Sequence, residues 1–403
     1  MRKFTIILTV LIAMTITTNA QWIGPSQVAS NNQNVYILAS DGPNMFAGAG
    51  NAGVALSTND GNSWTAVNTG LPYNTSLYYP NVYAFAISGV NIFAGCDSGV
   101  FLSTNNGTLW TTMSNGLPNT NVDALAISGT NIFAGTHNNG VFLSTNNGSS
   151  WTAANTGLIW QINALCVSGT NIFAGAANHG VYLSSNNGGN WTAINNGLTN
   201  IDVHTIAISG ANIFAGTSGG VFLSTNNGTL WTAVNNGLTN TVNSLLINGT
   251  NIFAGTDNGV FYSNNNGSSW TSISDGFPAN TLVFTLAISG TNIFAGVHTD
   301  LWRRPLSEIV TADQNPPSPH PGSDIVKLFN PVSSEVSFTL PFNSYVSLKA
   351  FDLRGCEVAT LVNNELMSAG TYTKRWNSSV TSSGLYLYRL QAGSSTVTAK
   401  ALR

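Results

Sequence analysis

The sequence of 403 residues contains few charged residues, and its basic residues lie almost entirely at the two ends. There is no lysine or arginine between Phe4 and Trp302, and no glutamate before Glu308. Phosphate groups are neutralised by lysine and arginine, so a region with acids and no bases binds nucleic acid or an anionic membrane surface poorly. The composition therefore predicts no nucleic-acid partner for this region.

Cysteine is also scarce, with Cys96, Cys166 and Cys356 at irregular spacing. This number and spacing predict neither a disulfide framework nor a zinc site built on cysteine. The five histidines show no metal-ligand spacing along the chain. We therefore predict no metal site and no cofactor.

Long apolar runs are absent except at the N-terminus. A basic pair at 2–3 and an apolar stretch over 4–14 precede small residues at 18–20. This order predicts a signal peptide over 1–20 and a mature chain that starts at Gln21, without a transmembrane segment. The alternative is an uncleaved membrane anchor, for which the apolar run is short.

Helical periodicity is absent too, and the sequence instead repeats itself. The marker N-[IM]-F-A-G recurs at a period near forty residues and is followed by a stretch such as GVFLSTNNG and then by a tryptophan. The seven markers begin at Asn44, Asn91, Asn131, Asn171, Asn212, Asn251 and Asn292.

Each repeat unit contains four short apolar or alternating runs separated by Gly/Asn turns, as in VDALAIS, NIFAGT, GVFLS and WTAVN. Four antiparallel strands per unit of about forty residues are typical of a β-propeller blade. A β-solenoid is the alternative, although its coils are usually shorter. The sequence therefore predicts an all-β chain.

The seventh unit ends without its fourth strand, whereas Gln21-Trp22-Ile23 resembles that strand at Ser63-Trp64-Thr65. We predict that the N-terminal strand completes the last blade. This pairing would close a seven-bladed propeller over 21–310 and would leave no free sheet edge.

The turn and tryptophan of each unit, as in STNNGTLW, resemble the Asp-box of sialidase-like (BNR) propellers, S-x-D-x-G-x-x-W, with Asn in place of Asp. The resemblance implies a structural role: the Asn side chain bonds its own turn, Gly supplies the positive φ and Trp packs between blades. These residues are Asn59, Asn105, Asn146, Asn186, Asn226 and Asn265, and Trp64, Trp110, Trp151, Trp191, Trp231 and Trp270.

The sialidase family holds its substrate with arginines and uses glutamate in catalysis, and the propeller region has no arginine before Arg303 and no glutamate before Glu308. Sialidase activity is therefore excluded. The Asn/Gly turns could alternatively be calcium loops, but calcium loops usually need several carboxylates and only Asp60 adds one to these turns.

If the STNNG turns lie on one face of the propeller, the remaining loops lie on the other, where the repeat varies. At the start of the innermost strand stand Tyr83, Asp123, Asn163, His204, Asn243 and Phe284. The ligand-binding candidates on this face are Tyr73, Tyr78, Tyr79, Tyr83, Asp97, Asp123, His137, Trp160, His179, His204, Asp257 and His298.

Aromatic side chains beside Asp, Asn and His suit a sugar, so the leading hypothesis is a non-catalytic protein that binds a glycan or surface polymer. A glycoside hydrolase that uses Asp123 and Asp202 is the second hypothesis. A structural or adhesive surface protein is the third. In a simpler interpretation, the candidate residues are solvated loop residues.

A proline-rich linker is predicted over 311–324, and the composition then changes. Alternating strands in 325–403 predict a small immunoglobulin-like β-sandwich. Asn330-Pro331, VSLKAFDLRGCEVATLV, SAGTYTKRWN and SGLYLYRLQAG resemble the type A sorting domain of type IX secretion.

The resemblance implies Sec export, contact between 325–403 and the type IX machinery, and a location outside the cell or on the outer-membrane surface. Two departures from the family pattern are a shortened N-P-F-N-P-S opening and Cys356 after Gly355. An ordinary accessory sandwich is the alternative.

Overall fold

The computed structural model describes residues 21–26, 28, 33–74, 78–118, 121–298, 300–312, 327–328, 335–340, 344–351, 357–368, 370–375, 385–392 and 395–402. The predicted signal peptide, residues 313–324 of the predicted linker, and Cys356 lie outside these residues. The chain divides into two compact units between Val310 and Thr311.

The first unit contains seven antiparallel sheets of four strands, which form seven propeller blades. It begins with β1 (Ile23–Ser26), and blades 1 to 3 follow in chain order: β2 (Val35–Asp41), β3 (Asn44–Ala49), β4 (Gly53–Ser57), β5 (Thr65–Ala66); β6 (Val82–Ser88), β7 (Asn91–Cys96), β8 (Gly99–Ser103), β9 (Thr111–Thr112); β10 (Val122–Ser128), β11 (Asn131–Thr136), β12 (Val141–Ser144), β13 (Thr152–Ala153).

Blades 4 to 6 have the same order of strands, and blade 7 contributes three of its own: β14 (Ile162–Ser168), β15 (Asn171–Ala176), β16 (Gly180–Ser184), β17 (Thr192–Ala193); β18 (Val203–Ser209), β19 (Asn212–Thr217), β20 (Gly220–Ser224), β21 (Thr232–Ala233); β22 (Val242–Asn248), β23 (Asn251–Thr256), β24 (Gly259–Ser263), β25 (Thr271–Ser272); β26 (Val283–Ser289), β27 (Asn292–Val297), β28 (Asp300–Pro305).

The N-terminal strand β1 is the fourth strand of blade 7, where Ile23 pairs with Arg303 and Ser26 with Leu301. Trp22 donates its backbone N–H to the carbonyl of Asp275 and its indole N–H to the carbonyl of Ile273, at 2.7 and 2.6 Å. Both acceptors follow β25 of blade 6, so the segment of Trp22 and β1 contacts blade 6 as well as blade 7.

A short helix, α1 (Leu306–Ala312), follows β28. The sequence predicts no helix here, because the seven residues of α1 are too few to display a 3.6-residue period. The helix packs through fully buried Ile309 and partly buried Leu306 against the apolar cluster that contains Trp22. Glu308 in its first turn suits the positive end of the helix dipole.

Neighbouring blades are joined by the repeated tryptophan. The Trp110 indole N–H donates to the carbonyl of Val67 in the preceding blade at 2.8 Å. The tryptophans at 151, 191, 231 and 270 make the same bond at 2.6–2.8 Å. Trp64 differs, because its buried Nε1 has no partner among the described residues.

The STNNG turns are stabilised by their own side chains. In blade 2, Ser103 Oγ and the backbone N–H of Leu109 both donate to Asn105 Oδ1, at 2.9 and 3.0 Å. Asn106 and Gly107 follow with φ of +54° and +80°, so the chain reverses in a tight turn. The Ser-to-Asn bond recurs in the other five turns at 2.9–3.0 Å.

The second unit contains two antiparallel sheets with a shared core. Val336, Phe338 and Leu340 of one sheet pack with residues such as Val346 and Tyr388 of the other. Its strands are β29 (Lys327–Leu328), β30 (Glu335–Leu340), β31 (Ser344–Phe351), β32 (Glu357–Met367), β33 (Gly370–Arg375), β34 (Leu385–Ala392) and β35 (Ser395–Leu402).

Candidate functional site

Every blade carries a β-bulge at the same place, near the start of its innermost strand. In blade 3, Val122 pairs with Thr136 and Ala124 with Gly135, so Asp123 is an extra residue without a cross-strand partner. We call the seven equivalent residues the bulge ring: Tyr36, Tyr83, Asp123, Asn163, His204, Asn243 and Phe284.

The bulge fixes the position of each ring residue in its blade without restricting which residue type occupies that position. The preceding Val or Ile is fully buried in all seven blades, which anchors the strand. A bulge residue is unpaired in the ladder, and bulges often direct a side chain toward a site. All seven ring side chains are half-buried, so each retains some exposure to solvent.

The bulge ring lines a cavity of about 440 Å³, together with Asn121, His137, Gln161 and Leu282. Because the innermost strands begin here and the STNNG turns follow the opposite strand ends, the cavity opens on the face with the variable loops. We call this the variable face and the opposite one the turn face.

One side of the cavity is aromatic. The Tyr36 ring lies between Phe284 and Tyr83, at centroid distances of 5.3 and 5.4 Å. Burial and the nearby carboxylate of Asp97 raise the pKa of Tyr83 to about 12. Its hydroxyl is protonated at neutral pH, as in an ordinary tyrosine, and it has a side-chain hydrogen bond with Asn81.

The other side of the cavity is polar. Asp123 Oδ2 lies 2.9 Å from His137 Nδ1, which joins two blade 3 strands at the cavity wall. Burial raises the pKa of the Asp123 carboxyl, and the hydrogen bond from His137 opposes that rise. Gln161 donates to the side-chain carbonyl of Asn163 at 3.1 Å, and Asn163 donates to the backbone of Val203.

His204 belongs to a small hydrogen-bonded group at the edge of the cavity. Ser218 Oγ donates to Asp202 at 2.7 Å and lies 2.9 Å from His204 Nε2. Because the serine proton points to Asp202, the histidine donates from Nε2 in this arrangement. Asp202 itself does not line the cavity, where Asp123 is the one carboxylate among the described lining residues.

Four of the twelve predicted site residues therefore line the cavity: Tyr83, Asp123, His137 and His204. The others lie around it. Asp97 accepts a hydrogen bond from Asn81 at 3.0 Å, and Asp257 is exposed. The His298 ring lies 2.6 Å from the side-chain carbonyl of Asn34, and the Asn34 amide donates to the hydroxyl of Tyr36.

The predicted loop aromatics form two pairs outside the cavity. Tyr73 packs on Tyr79 with ring centroids 4.7 Å apart, and Tyr78 is exposed beside them. Trp160 stacks on His179 at 3.7 Å and donates its indole N–H to the hydroxyl of Tyr182.

Sequence reasoning missed Tyr36 and Gln161. The signal for Tyr36 was present: each bulge-ring residue stands eight positions before the marker asparagine, and Tyr36 has this offset from Asn44. Gln161 also stands at a repeated position, two residues before the ring residue and ten before the marker asparagine. Asn121 and Leu282 occupy the same position in blades 3 and 7 and line the cavity as well, and they too were missed. Among the described residues, no three His, Cys, Asp or Glu side chains are grouped closely enough to hold a metal ion.

Two segments match known families. Residues 163–299 match the DUF6242 beta propeller domain, and residues 329–402 match the secretion system C-terminal sorting domain. The chain therefore combines a β-propeller with a type IX sorting domain, which implies contact with the secretion machinery and indicates export to the cell surface or extracellular space. No helix among the described residues is long and apolar enough to cross a membrane.

Solved structures share the fold at low sequence identity. The extracellular domain of a one-component system from B. thetaiotaomicron is 16% identical over 81% of this chain and 45% of its own, with a TM-score of 0.58. PorZ of Porphyromonas gingivalis, a surface component of type IX secretion, is 14% identical over 93% and 59%, at 0.54.

A GH74 enzyme of Niastella koreensis is 18% identical over 68% of this chain and 43% of its own, with a TM-score of 0.53. This chain thus spans about half the length of these three structures. No curated protein matches it in sequence.

Proposed function

We propose that this exported propeller is a non-catalytic binding protein that takes a sugar of a glycan or surface polymer into the cavity of the bulge ring. The observation that carries the proposal is the contrast within each blade. The buried residue before the bulge is Val or Ile throughout, whereas the bulge residue is Tyr, Asp, Asn, His or Phe.

The chemistry of the cavity suits a sugar. A pyranose has apolar C–H faces that pack on aromatic rings and hydroxyls that need hydrogen-bond partners. Phe284, Tyr36 and Tyr83 offer the aromatic surface, and the opposite wall offers Asp123 and Asn163. A flat, uniform face would instead have favoured a purely structural or adhesive role.

The charges favour a neutral sugar over an acidic one. The propeller has no lysine or arginine before Trp302, and the charged side chains of the variable face include Asp97, Asp123 and Asp202. A carboxylate or sulfate on the ligand would meet these acids without a compensating lysine or arginine.

The cavity supports binding better than hydrolysis. Glycoside hydrolysis requires two carboxyl groups flanking the scissile bond. Asp123 is the one carboxylate among the described lining residues, and Asp202 is engaged by Ser218 outside the cavity. The paired-Asp hydrolase is therefore the weaker of the two hypotheses.

We further propose the finer features that the sequence suggests: cleavage of residues 1–20 as a signal peptide, kinship of the STNNG turns with the Asp-box, ring closure by β1, and an immunoglobulin-like arrangement for 325–403. Pairing of β1 with β28 and the two bonds from Trp22 to blade 6 support closure.

A glycan-array screen of the purified protein tests the proposed function, with Tyr83→Ala and Asn163→Ala as cavity variants. Asp257→Asn is the matched control, because this side chain is exposed on the same face outside the cavity. We expect saturable binding of neutral glycans that each cavity variant weakens by about tenfold or more, at an unchanged melting temperature. Absence of binding across the array, or equal binding by all variants, would overturn the proposal.

A further inference from the structure

The exposed aromatic side chains are confined to two loops of the variable face. Among the described residues, the exposed aromatics are Tyr73, Tyr78 and Trp160, with exposed fractions of 54%, 47% and 38%. The first two lie in the loop from blade 1 to blade 2, and the third in the loop from blade 3 to blade 4. We call the described residues of these loops the Tyr loop (71–74 and 78–81) and the Trp loop (157–161).

Each loop presents a supported aromatic surface. Tyr73 packs on the half-buried ring of Tyr79, whose backbone N–H donates to the carbonyl of Asn51 in blade 1. The indole of Trp160 stacks on His179 with an angle of 11° between the rings. A ring that is already packed on one side loses little conformational freedom when a ligand covers the other side.

Hydrogen bonds link the Tyr loop to the bulge ring. Asn51 N–H donates to Asn81 Oδ1 at 2.8 Å, and Asn81 donates to Asp97 at 3.0 Å. Asn81 precedes β6, which carries Tyr83 of the ring.

A second series of hydrogen bonds runs to the bulge ring from Asn178, the neighbour of the histidine on which Trp160 stacks. Asn178, next to His179, donates its N–H to Asp202 at 3.3 Å, and Ser218 connects Asp202 with His204 of the ring. Polar side chains therefore lie between each exposed aromatic pair and the cavity. An oligosaccharide that extends from the cavity to these aromatics needs such hydrogen-bond partners for its hydroxyls.

We propose, building on the function proposed above, that the ligand is an extended neutral polysaccharide chain that crosses the variable face, with the Tyr loop and the Trp loop as outer sugar subsites beside the central cavity. Blades 2 and 3 stand between the two loops, so a chain that joins them by the shorter way spans the blades that carry Tyr83 and Asp123. A ligand bound only by its end would not need exposed aromatics at two separate loops.

The test begins with affinity electrophoresis of the full protein through gels that contain hydroxyethyl cellulose, xylan, galactomannan or mixed-linkage β-glucan, with polygalacturonate as the acidic comparison. We expect retardation by at least one neutral polymer and none by polygalacturonate. Failure of every neutral polymer would overturn the extended-chain proposal.

The second step compares a disaccharide and a hexasaccharide of the retained polymer by titration calorimetry. The loop variants are Tyr73→Ala and Trp160→Ala, and the matched control is Leu230→Ala, whose side chain is 49% exposed on the turn face. We expect each loop variant to weaken hexasaccharide binding by about tenfold and to leave disaccharide binding unchanged.

Equal affinity for the two lengths, or unchanged hexasaccharide binding in both loop variants, would overturn the extended-chain proposal. In that case the Tyr83→Ala variant still reports on the cavity. If it abolishes binding, the proposed function stands without the outer subsites, and if it has no effect, the proposed function fails as well.

Discussion

The turn face and the variable face of the propeller are built from opposite ends of the same strands, yet they differ in how strictly the repeat is kept. On the turn face, the Ser-to-Asn hydrogen bond recurs in six turns at distances from 2.9 to 3.0 Å. On the variable face, the seven bulge positions hold five different residue types.

The hydrogen-bond ladder explains this difference. A turn residue whose side chain satisfies buried groups cannot change without leaving a donor or acceptor unpaired. A bulge residue has no cross-strand partner, so its replacement leaves the ladder of its own blade intact, although Asn163 and Asn243 also donate to the backbone of the next blade. The turn face therefore maintains the fold, the variable face carries the residues proposed to bind a ligand, and substitutions should affect the two separately.

Trp22→Ala tests the framework where we expect the largest effect. The indole is 1% exposed, packs on Phe277 at 4.7 Å and donates to the carbonyl of Ile273. We expect a loss of about 3–5 kcal/mol in the free energy of unfolding, measured by urea denaturation.

The neighbouring Ile23→Ala is the control for this experiment, because Ile23 is 53% exposed and begins β1. It should cost less than about 1 kcal/mol. If the two variants were equally stable, β1 would not hold the last blade in place, and the proposed closure of the ring by β1 would fail.

Asn105→Ala tests the turn face itself. The substitution removes the acceptor for the buried hydroxyl of Ser103 and for the backbone N–H of Leu109. We expect a cost of about 1–3 kcal/mol in thermal or urea denaturation.

Asn105→Asp is the matched control, since a carboxylate oxygen accepts the same two bonds and restores the Asp-box residue. It should stay within about 0.5 kcal/mol of the natural protein. Equal losses in Asn105→Ala and Asn105→Asp would show that the side-chain bonds of the turn are not what the repeat preserves.

Most of the propeller could be predicted from the sequence because its information is local and repeated. NIFAGT and GVFLS alternate or remain apolar over strand length, and Asn-Gly marks each reversal. The helix over 306–312 was not predictable in this way, since its packing on the Trp22 cluster depends on residues far away along the chain.

The site was predictable only in part. The start of the innermost strand could be recognised as variable, which identified Asp123 and His204, but the sequence contains no sign of the bulge that places them around one cavity. Trp160 and His179 were candidates for separate reasons, and only the fold shows that their rings stack.

Trp110→Phe and Trp64→Phe compare two seams between blades. Trp110 donates to the carbonyl of Val67 at 2.8 Å, whereas Trp64 Nε1 has no partner in the described part of the chain. Both substitutions remove similar volume, but Trp110 is 2% exposed and Trp64 is only partly buried, so the difference between their costs reports the hydrogen bond together with the deeper packing of Trp110. We expect Trp110→Phe to cost about 1 kcal/mol more in urea denaturation. Equal costs would indicate that packing alone joins the blades.

Asp123→Asn should have the smallest effect on stability, and its pH dependence is the informative part. Burial raises the carboxyl pKa in the folded protein, so the folded state binds this proton more tightly than the unfolded state. The group therefore destabilises the fold above its folded pKa, and this cost disappears as the pH falls toward the ordinary value for aspartate.

The Asp123→Asn variant should consequently be slightly more stable than the natural protein at neutral pH, by less than about 1 kcal/mol, and this difference should shrink in acid. Melting curves between neutral pH and the ordinary aspartate pKa measure it, with His137→Gln as a second background, because His137 is the titratable partner of this carboxyl. A variant that is less stable at neutral pH would mean that the bond to His137 outweighs burial. Asp123 would then belong to the framework as well as to the site, and the separation of the two faces would fail at this residue.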